Sequence, residues 1–353
     1  MRPGTQSSAC TARGLPHACT DSARRFAVVN TIDQLLQVVR SDMDRVEAML
    51  FTAITSEVGM LQDICTHILR SGGKRLRPLM LLLSAKFCGY QGTDHIPLAC
   101  VLEYIHTATL LHDDVIDHAE VRRGTSSAHI LWGNQATILA GDFFLSRAFA
   151  LAVSAQNMKI LEVIAHTSIC LTEAETYQVS KTNDPLTTEE DYFFIVRNKT
   201  ASLIAAASRI GAILGGASPE AEQALERYGL NVGIAFQIMD DVLDYASNEQ
   251  ELGKTICKDI QEGSITLPFI AALRACPPAD REAMIALLQA PAYQQDDLAR
   301  IARLVEEHGG TAYAREQAHA YVRAAIAELE VFPQTPQRQW LIDCARYVAE
   351  RTF

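Results

Sequence analysis

Two acidic runs, Asp113-Asp114-Val115-Ile116-Asp117 and Asp240-Asp241-Val242-Leu243-Asp244, interrupt stretches whose other residues are those of buried helices. At 3.6 residues per turn, His106, Thr109, Asp113 and Asp117 share one face of the first stretch, and Gln237, Asp240, Asp241 and Asp244 share one face of the second. A carboxylate stripe on an otherwise apolar helix points into the protein, where unpaired negative charge is too costly to persist. The pattern therefore calls for a cation. Hard oxygen donors without Cys or His at ligand spacing suit magnesium, manganese or calcium better than zinc. Magnesium fits best, because it binds through one or two carboxylates plus phosphate oxygens, and two facing stripes would clamp a diphosphate through bridging ions. An EF-hand is excluded, since no Asp-x-Asp-x-Asp-Gly loop is present.

A clamp of that kind needs cations for the oxygens that the metal leaves free. Ser71-Gly72-Gly73-Lys74-Arg75-Leu76-Arg77-Pro78 is a glycine-rich turn with three cations, and Pro78 suits the first turn of the apolar helix that follows. Arg122-Arg123-Gly124-Thr125 supplies a second cationic turn close behind the first acidic run. Lys199, with Thr200 beside it, Lys254 and Lys258 are further candidates.

In this order the elements resemble those of the trans-isoprenyl (polyprenyl) diphosphate synthases, and within that family the sequence looks most like the bacterial octaprenyl enzymes. The likeness runs from about Asp33 to the C-terminus. It rests on Gly72-Gly73-Lys74-Arg75-Leu76-Arg77-Pro78, the first acidic run with Ile105 to His112 before it, Arg122-Arg123-Gly124, Trp132-Gly133-Asn134 and Ala140-Gly141-Asp142-Phe143. Lys199-Thr200-Ala201, the second acidic run with Ala235 to Met239 before it, and Leu252-Gly253-Lys254 complete it. The resemblance implies an all-α fold, a single large helical bundle around a central cavity. It implies that Asp113, Asp117 and Asp240 ligate up to three magnesium ions on an allylic diphosphate, with Asp114, Asp241 and Asp244 in support. Arg122, Lys199 and Lys254 would bind the same diphosphate. Lys74, Arg77, His106 and Arg123 would hold isopentenyl diphosphate, and Thr200 and Gln237 would face the reacting carbons. Metal and side-chain cations would stabilise the departing pyrophosphate more strongly than the bound ester, which accelerates ionisation to an allylic cation that the double bond of isopentenyl diphosphate attacks. The resemblance implies that the released pyrophosphate takes the final proton.

Product length in the resembling family is read four and five residues before the first Asp, here at Thr109 and Ala108. Each residue rises about 1.5 Å along a helix, so these lie roughly 6–8 Å deeper than Asp113. Small side chains there leave a passage open, and a long product of about octaprenyl length is expected. Phe143, Phe144 and Phe149 on the next helix could floor that passage, although phenylalanines at helical spacing are more often core. The chain departs from the family pattern at Ser264, where a Lys is usual; allylic diphosphate binding should weaken unless Lys258 substitutes. Two rival functions fit parts of the pattern. A terpene cyclase would not need the Lys74, Arg77 and Arg123 site, and a non-catalytic subunit of a heteromeric synthase would be expected to lose acidic residues.

These residues need a helical scaffold. Apolar periodicity predicts helices over 31–51, 78–87, 96–115, 137–155, 160–178, 188–214, 219–243, 267–273, 298–307, 311–329 and 336–348, with prolines between several of them. Strand signals are scarce. With 353 residues, 48% of them hydrophobic, and no Gly/Ser linker, residues 31–353 read as one catalytic domain. Residues 1–30 read as an N-terminal extension, disordered in expectation. A net charge of -11 argues against nucleic acid as a partner. Nine scattered cysteines without a Cys-x-x-Cys pair fit reduced thiols in the cytoplasm. No apolar run reads as long enough to span a bilayer, since Asp142, Arg147 and Arg209 interrupt the best ones. Transient membrane contact is expected for release of an insoluble product, and the resemblance implies a homodimer.

Overall fold

The computed structural model describes Met1 and residues 18–246, 256–290 and 293–351. It is built from helices: α1 Ala18–Thr52, α2 Gly59–Arg70, α3 Leu76–Phe87, α4 His95–Ile116, α5 Ala128–Ser154, α6 Met158–Ser180, α7 Glu189–Ile195, α8 Ser202–Leu214 and α9 Pro219–Ala246. Beyond them come α10 Lys258–Gln261, α11 Leu267–Ala275, α12 Pro278–Leu288, α13 Gln295–Glu307, α14 Gly310–Glu328 and α15 Pro336–Glu350. The first turns of α1 fall inside the expected N-terminal extension, whose residues 2–17 lie outside the described ones.

Helices that are apolar on nearly every face must be enclosed by others. Nine residues of α3 are buried between Leu76 and Ala85, and α4 is buried along most of its length. α3 packs on α8, α8 on α9, α9 on α14, and α4 along α5. The close α3–α8 approach depends on Gly211, where a Cβ would lie 2.7 Å from the Ala85 backbone nitrogen. α9 contributes to two apolar cores. Leu225, Tyr228, Val232 and Ala235 join the core built on α1 to α6, whereas Ile234, Ile238, Val242 and Tyr245 join the one built on α10 to α14. Its polar stripe lies along the remaining face.

Four features depart from the periodicity. α2 was not expected, because its buried Ile64, Cys65, Ile68 and Leu69 form a narrow stripe among polar residues. α12 was also unexpected; it buries only Met284 and Leu288. The stretch 188–214 is divided by a π-helical turn, Val196–Ala201. Between α4 and α5 stands a small antiparallel hairpin, β1 Val121–Arg122 and β2 Thr125–Ser126, with Arg123 at φ 51° and Gly124 at φ 77° in its turn. Both central residues of a tight turn that matches strand twist need positive φ, which is routine for Gly and costly for Arg.

α5 also corrects an expectation. It bends at Gly133 (φ 79°, ψ 162°) without stopping, and its 27 residues make it long and apolar enough to cross a membrane. By length and composition alone it passes despite Asp142 and Arg147, as core helices of soluble proteins also do. Here α5 is packed lengthwise on α4, and Arg147 Nε donates to the Ala53 carbonyl at 2.9 Å.

Candidate active site

The first acidic run closes α4. Asp113 and Asp114 are buried in its last turn, and Asp117 is its C-cap. A cleft of about 280 Å³ is lined by Asp113, Asp117, Arg122, Lys199, Thr200, Gln237 and Asp241, with Asp259 and Glu262 from the α10 region. Lys199 Nζ lies 2.5 Å from Glu175 and 3.6 Å from Asp113. Arg122 Nε is bonded to Asp114, which carries the guanidinium of the hairpin to the foot of α4.

The π turn presents Lys199 and Thr200 together. Thr200 Oγ1 donates to Gln237 Oε1 at 2.9 Å, and Gln237 Nε2 donates to Asp241 Oδ1 at 2.7 Å. The other Asp241 oxygen accepts from Tyr192 Oη at 2.5 Å. Asp244 accepts the backbone N–H groups of Lys258 at 3.0 Å and Asp259 at 3.1 Å. Asp240 turns elsewhere: its Oδ1 lies 2.8 Å from Arg351 Nη2 and 3.5 Å from Lys74 Nζ.

Burial dominates the electrostatics. It pushes Asp113 up to about 7, helped by Glu175 and Asp117 and opposed by Lys199. Burial likewise pushes Asp241 up to about 7, against the hydrogen bonds from Tyr192 and Gln237. Asp117 and Asp244 are raised for the same reason, and Asp259 well above the carboxylate range. Such a group of carboxylates lacks positive charge. Among the described residues, however, no three potential ligands converge into a cage for an ion. All-oxygen donors without a cage suit magnesium, which keeps waters and takes phosphate oxygens as ligands, so the residues present fit that ion.

A second set of cations lies on the α3 side. Lys74 faces Asp240, and Arg77 is half-buried with its Nε unpartnered. Burial lowers Arg77 to about 10, and the Arg123 guanidinium adds to the shift. Gly73 lets that guanidinium approach, since a Cβ there would lie 2.8 Å from Arg123 Nη1. Burial and then Arg77 and Arg123 hold His106 well below its ordinary value, so its ring is neutral. Arg75 is structural: in left-handed conformation ahead of α3, it donates to Glu47 at 2.6 Å and Glu103 at 2.7 Å. The set thus gathers Lys74, Arg77, His106 and Arg123.

An apolar cleft of about 420 Å³ shares Asp113 and Lys199 with the acidic one and runs between α4, α5 and α6. Ile105, Thr109, Ile116, Ile138, Leu145 and Leu171 line it. Ala108 does not; it is fully buried in the core. Phe144 packs against Tyr104 in that core, and Phe149 is exposed, so neither floors the cleft. Lys254 lies outside the described residues. Lys258 pairs with Glu262 at 2.7 Å and does not line the acidic cleft.

Sequence reasoning missed Tyr192, Arg351, Glu175 and Asp259. Arg351 is 1% exposed, stacks on the Phe236 ring at 3.9 Å and donates to the Phe236 carbonyl at 2.6 Å.

Known proteins share this arrangement of chain and fold. A family model described as Polyprenyl synthetase matches residues 58–305. The chain is 36% identical over 320 residues to the octaprenyl diphosphate synthase of Escherichia coli, covering 91% of this chain and 99% of that protein. Among solved structures, a polyprenyl synthase from Caulobacter crescentus complexed with calcium and isoprenyl diphosphate gives a TM-score of 0.87 at 36% identity, over 91% of this chain and 98% of that one. A decaprenyl diphosphate synthase from Rhodobacter capsulatus gives 0.85 at 38% identity, over 91% and 99%. With the family model spanning most of the chain and its relatives covered nearly end to end, this protein belongs to the polyprenyl synthetase family and is a prenyltransferase of all-α isoprenoid synthase fold.

Proposed function

We propose that the chain is a long-chain trans-polyprenyl diphosphate synthase, adding isopentenyl diphosphate units to an allylic primer such as farnesyl diphosphate to about octaprenyl length. One observation carries this reading. One set of cations lies among the carboxylates of the acidic cleft, a second, on the α3 side, meets only Asp240, and an apolar cleft leads away from the first. Two diphosphates and one growing hydrocarbon are what such a surface accommodates. The octaprenyl enzyme of Escherichia coli and the decaprenyl enzyme of Rhodobacter capsulatus support a long product.

Asp113, Asp117 and Asp240, backed by Asp114, Asp241 and Asp244, would hold up to three magnesium ions with the allylic diphosphate. Bound there, magnesium neutralises charge on the leaving pyrophosphate. Arg122, Lys199 and Lys254 bind the same group, so charge that develops on departure is better stabilised than charge in the ester. Lys74, Arg77, Arg123 and the neutral His106 bind the isopentenyl diphosphate. Asp241 accepts from Gln237 Nε2, which leaves Gln237 Oε1 and the Thr200 hydroxyl oxygen as the electron-rich atoms beside an allylic cation. Holding both substrates in one water-poor cavity contributes the rest.

We also infer a homodimer, formed through the outer faces of α5 and α6. Leu139, Val153, Ile169, Met158 and Val179 are each more than half exposed there, an apolar face of the kind that pairs with another surface. A cytoplasmic location accords with the free thiols of the seven described cysteines, and transient membrane contact with an insoluble product. The test is to incubate purified protein with magnesium, labelled isopentenyl diphosphate and farnesyl diphosphate, then separate the hydrolysed products by chromatography. Linear prenols of about eight units are expected. Cyclic hydrocarbons, or no product without an added subunit, would overturn the reading.

A further inference from the structure

We propose that Lys181 is a further ligand of the allylic diphosphate and supplies the charge that Ser264 lacks. This rests on the function proposed above. Ser264 lines the acidic cleft, and the segment that carries it lies against the end of α6. Gln178 Nε2 donates to Ser264 Oγ at 3.3 Å, and the Asn183 N–H donates to the Gly263 carbonyl at 2.9 Å. The approach is close enough that a Cβ on Gly263 would meet Thr182 Cγ2 at 2.6 Å. Lys181 sits between these two anchor points, one turn beyond Gln178, and lines the same cleft as Asp113, Asp117, Arg122 and Lys199.

The amine of Lys181 can be spared from its present contacts. It lies 3.2 Å from Asp191 and 3.9 Å from Asp184, beside the Tyr177 ring. Asp191 accepts from the Tyr177 hydroxyl, the Thr188 N–H at 2.9 Å and the Thr188 hydroxyl at 2.8 Å, so it stays satisfied without the lysine. The other cations of the cleft are committed more tightly, Arg122 to buried Asp114 and Lys199 to Glu175. A lysine is a charge on a flexible stem with three donors, able to swing from one anion to another. Lys258, the other possible substitute, pairs with Glu262 and stands outside the cleft lining.

The test measures binding directly and through kinetics. Titration calorimetry with an unreactive farnesyl thiolodiphosphate and magnesium should show affinity reduced about tenfold or more in Lys181→Ala and Lys181→Gln, the loss of one charged hydrogen bond. In steady state the KM for farnesyl diphosphate should rise by the same factor, with the KM for isopentenyl diphosphate within about twofold. Placing the charge back through Ser264→Lys in the Lys181→Ala background should restore both measurements. Analogue affinity within about twofold of wild type in both Lys181 variants would overturn the proposal. So would equal loss for both substrates with a lowered Tm and no recovery by Ser264→Lys, the pattern of a purely structural lysine. Absence of any prenol from wild type would instead count against the proposed function, and the calorimetry would still judge Lys181.

Discussion

Asp241 shows how little of a site one residue controls by itself. Its two carboxylate oxygens accept from Tyr192 and Gln237, and when ionised, as it is with a cation bound, a carboxylate can only accept. Gln237 must therefore offer its amide N–H to Asp241 and turn its carbonyl toward Thr200. Tyr192→Phe removes one anchor of this chain while keeping the ring against Phe193. Loss of such a supporting hydrogen bond costs about 10–100-fold in metal affinity or activity elsewhere, and the expected outcome is a fall in kcat of at least that lower figure with Tm almost unchanged. Steady-state kinetics and calorimetric melting check it. The carboxylates and cations themselves were legible, because spacing on a helix announces them. Tyr192 was not, since 49 residues separate it from Asp241 and nothing in either segment signals the pairing.

Elements set how closely these groups meet. Gly233 has no Cβ, and one added there would lie 2.6 Å from the Cα of Ala201 in the π turn. That backbone cannot retreat without moving Thr200, so Gly233→Ala is expected to destabilise the protein by about 1–3 kcal/mol and to lower kcat. Denaturant melts alongside turnover would reveal both effects. Along α4, Thr109 lines the apolar cleft and Ala108 faces the core, one helical step apart. Thr109→Phe should therefore shorten the product, read as a shift of the prenol ladder, whereas Ala108→Phe should chiefly overpack the core and lower Tm. The long apolar periodicities of α4 and α9 were readable because burial on most sides leaves only the functional stripe polar. The π turn was unreadable, because it changes only the backbone bonding between two helices that run on without a break residue. The hairpin was too short for any alternation.

At the scale of the whole molecule, crowded carboxylates make stability depend on pH. Asp113 and Asp241 are held up to about 7, against roughly 3.9 for an unfolded aspartate. Between those values the folded protein binds more protons than the unfolded chain, so this stabilisation is complete below the lower value and lost as pH rises through the upper one. His106, held below its ordinary 6.5, acts in the opposite sense only as pH falls under that value. In a chelator, Tm should thus rise by about a degree from pH 8 to pH 7, where each group is only half protonated, and saturating magnesium with a diphosphate analogue should flatten the slope. Scanning calorimetry at the two pH values tests this. The all-α class was evident from composition and period, but the meeting of two cores along α9 was not, because long-range packing leaves no local trace. The foot of α15 has a practical bearing on how the protein is prepared. Arg351 is sealed beneath the Phe236 ring and fastened to Asp240, so an affinity tag fused close behind it would tug on the catalytic chamber. Purification handles belong at the opposite terminus.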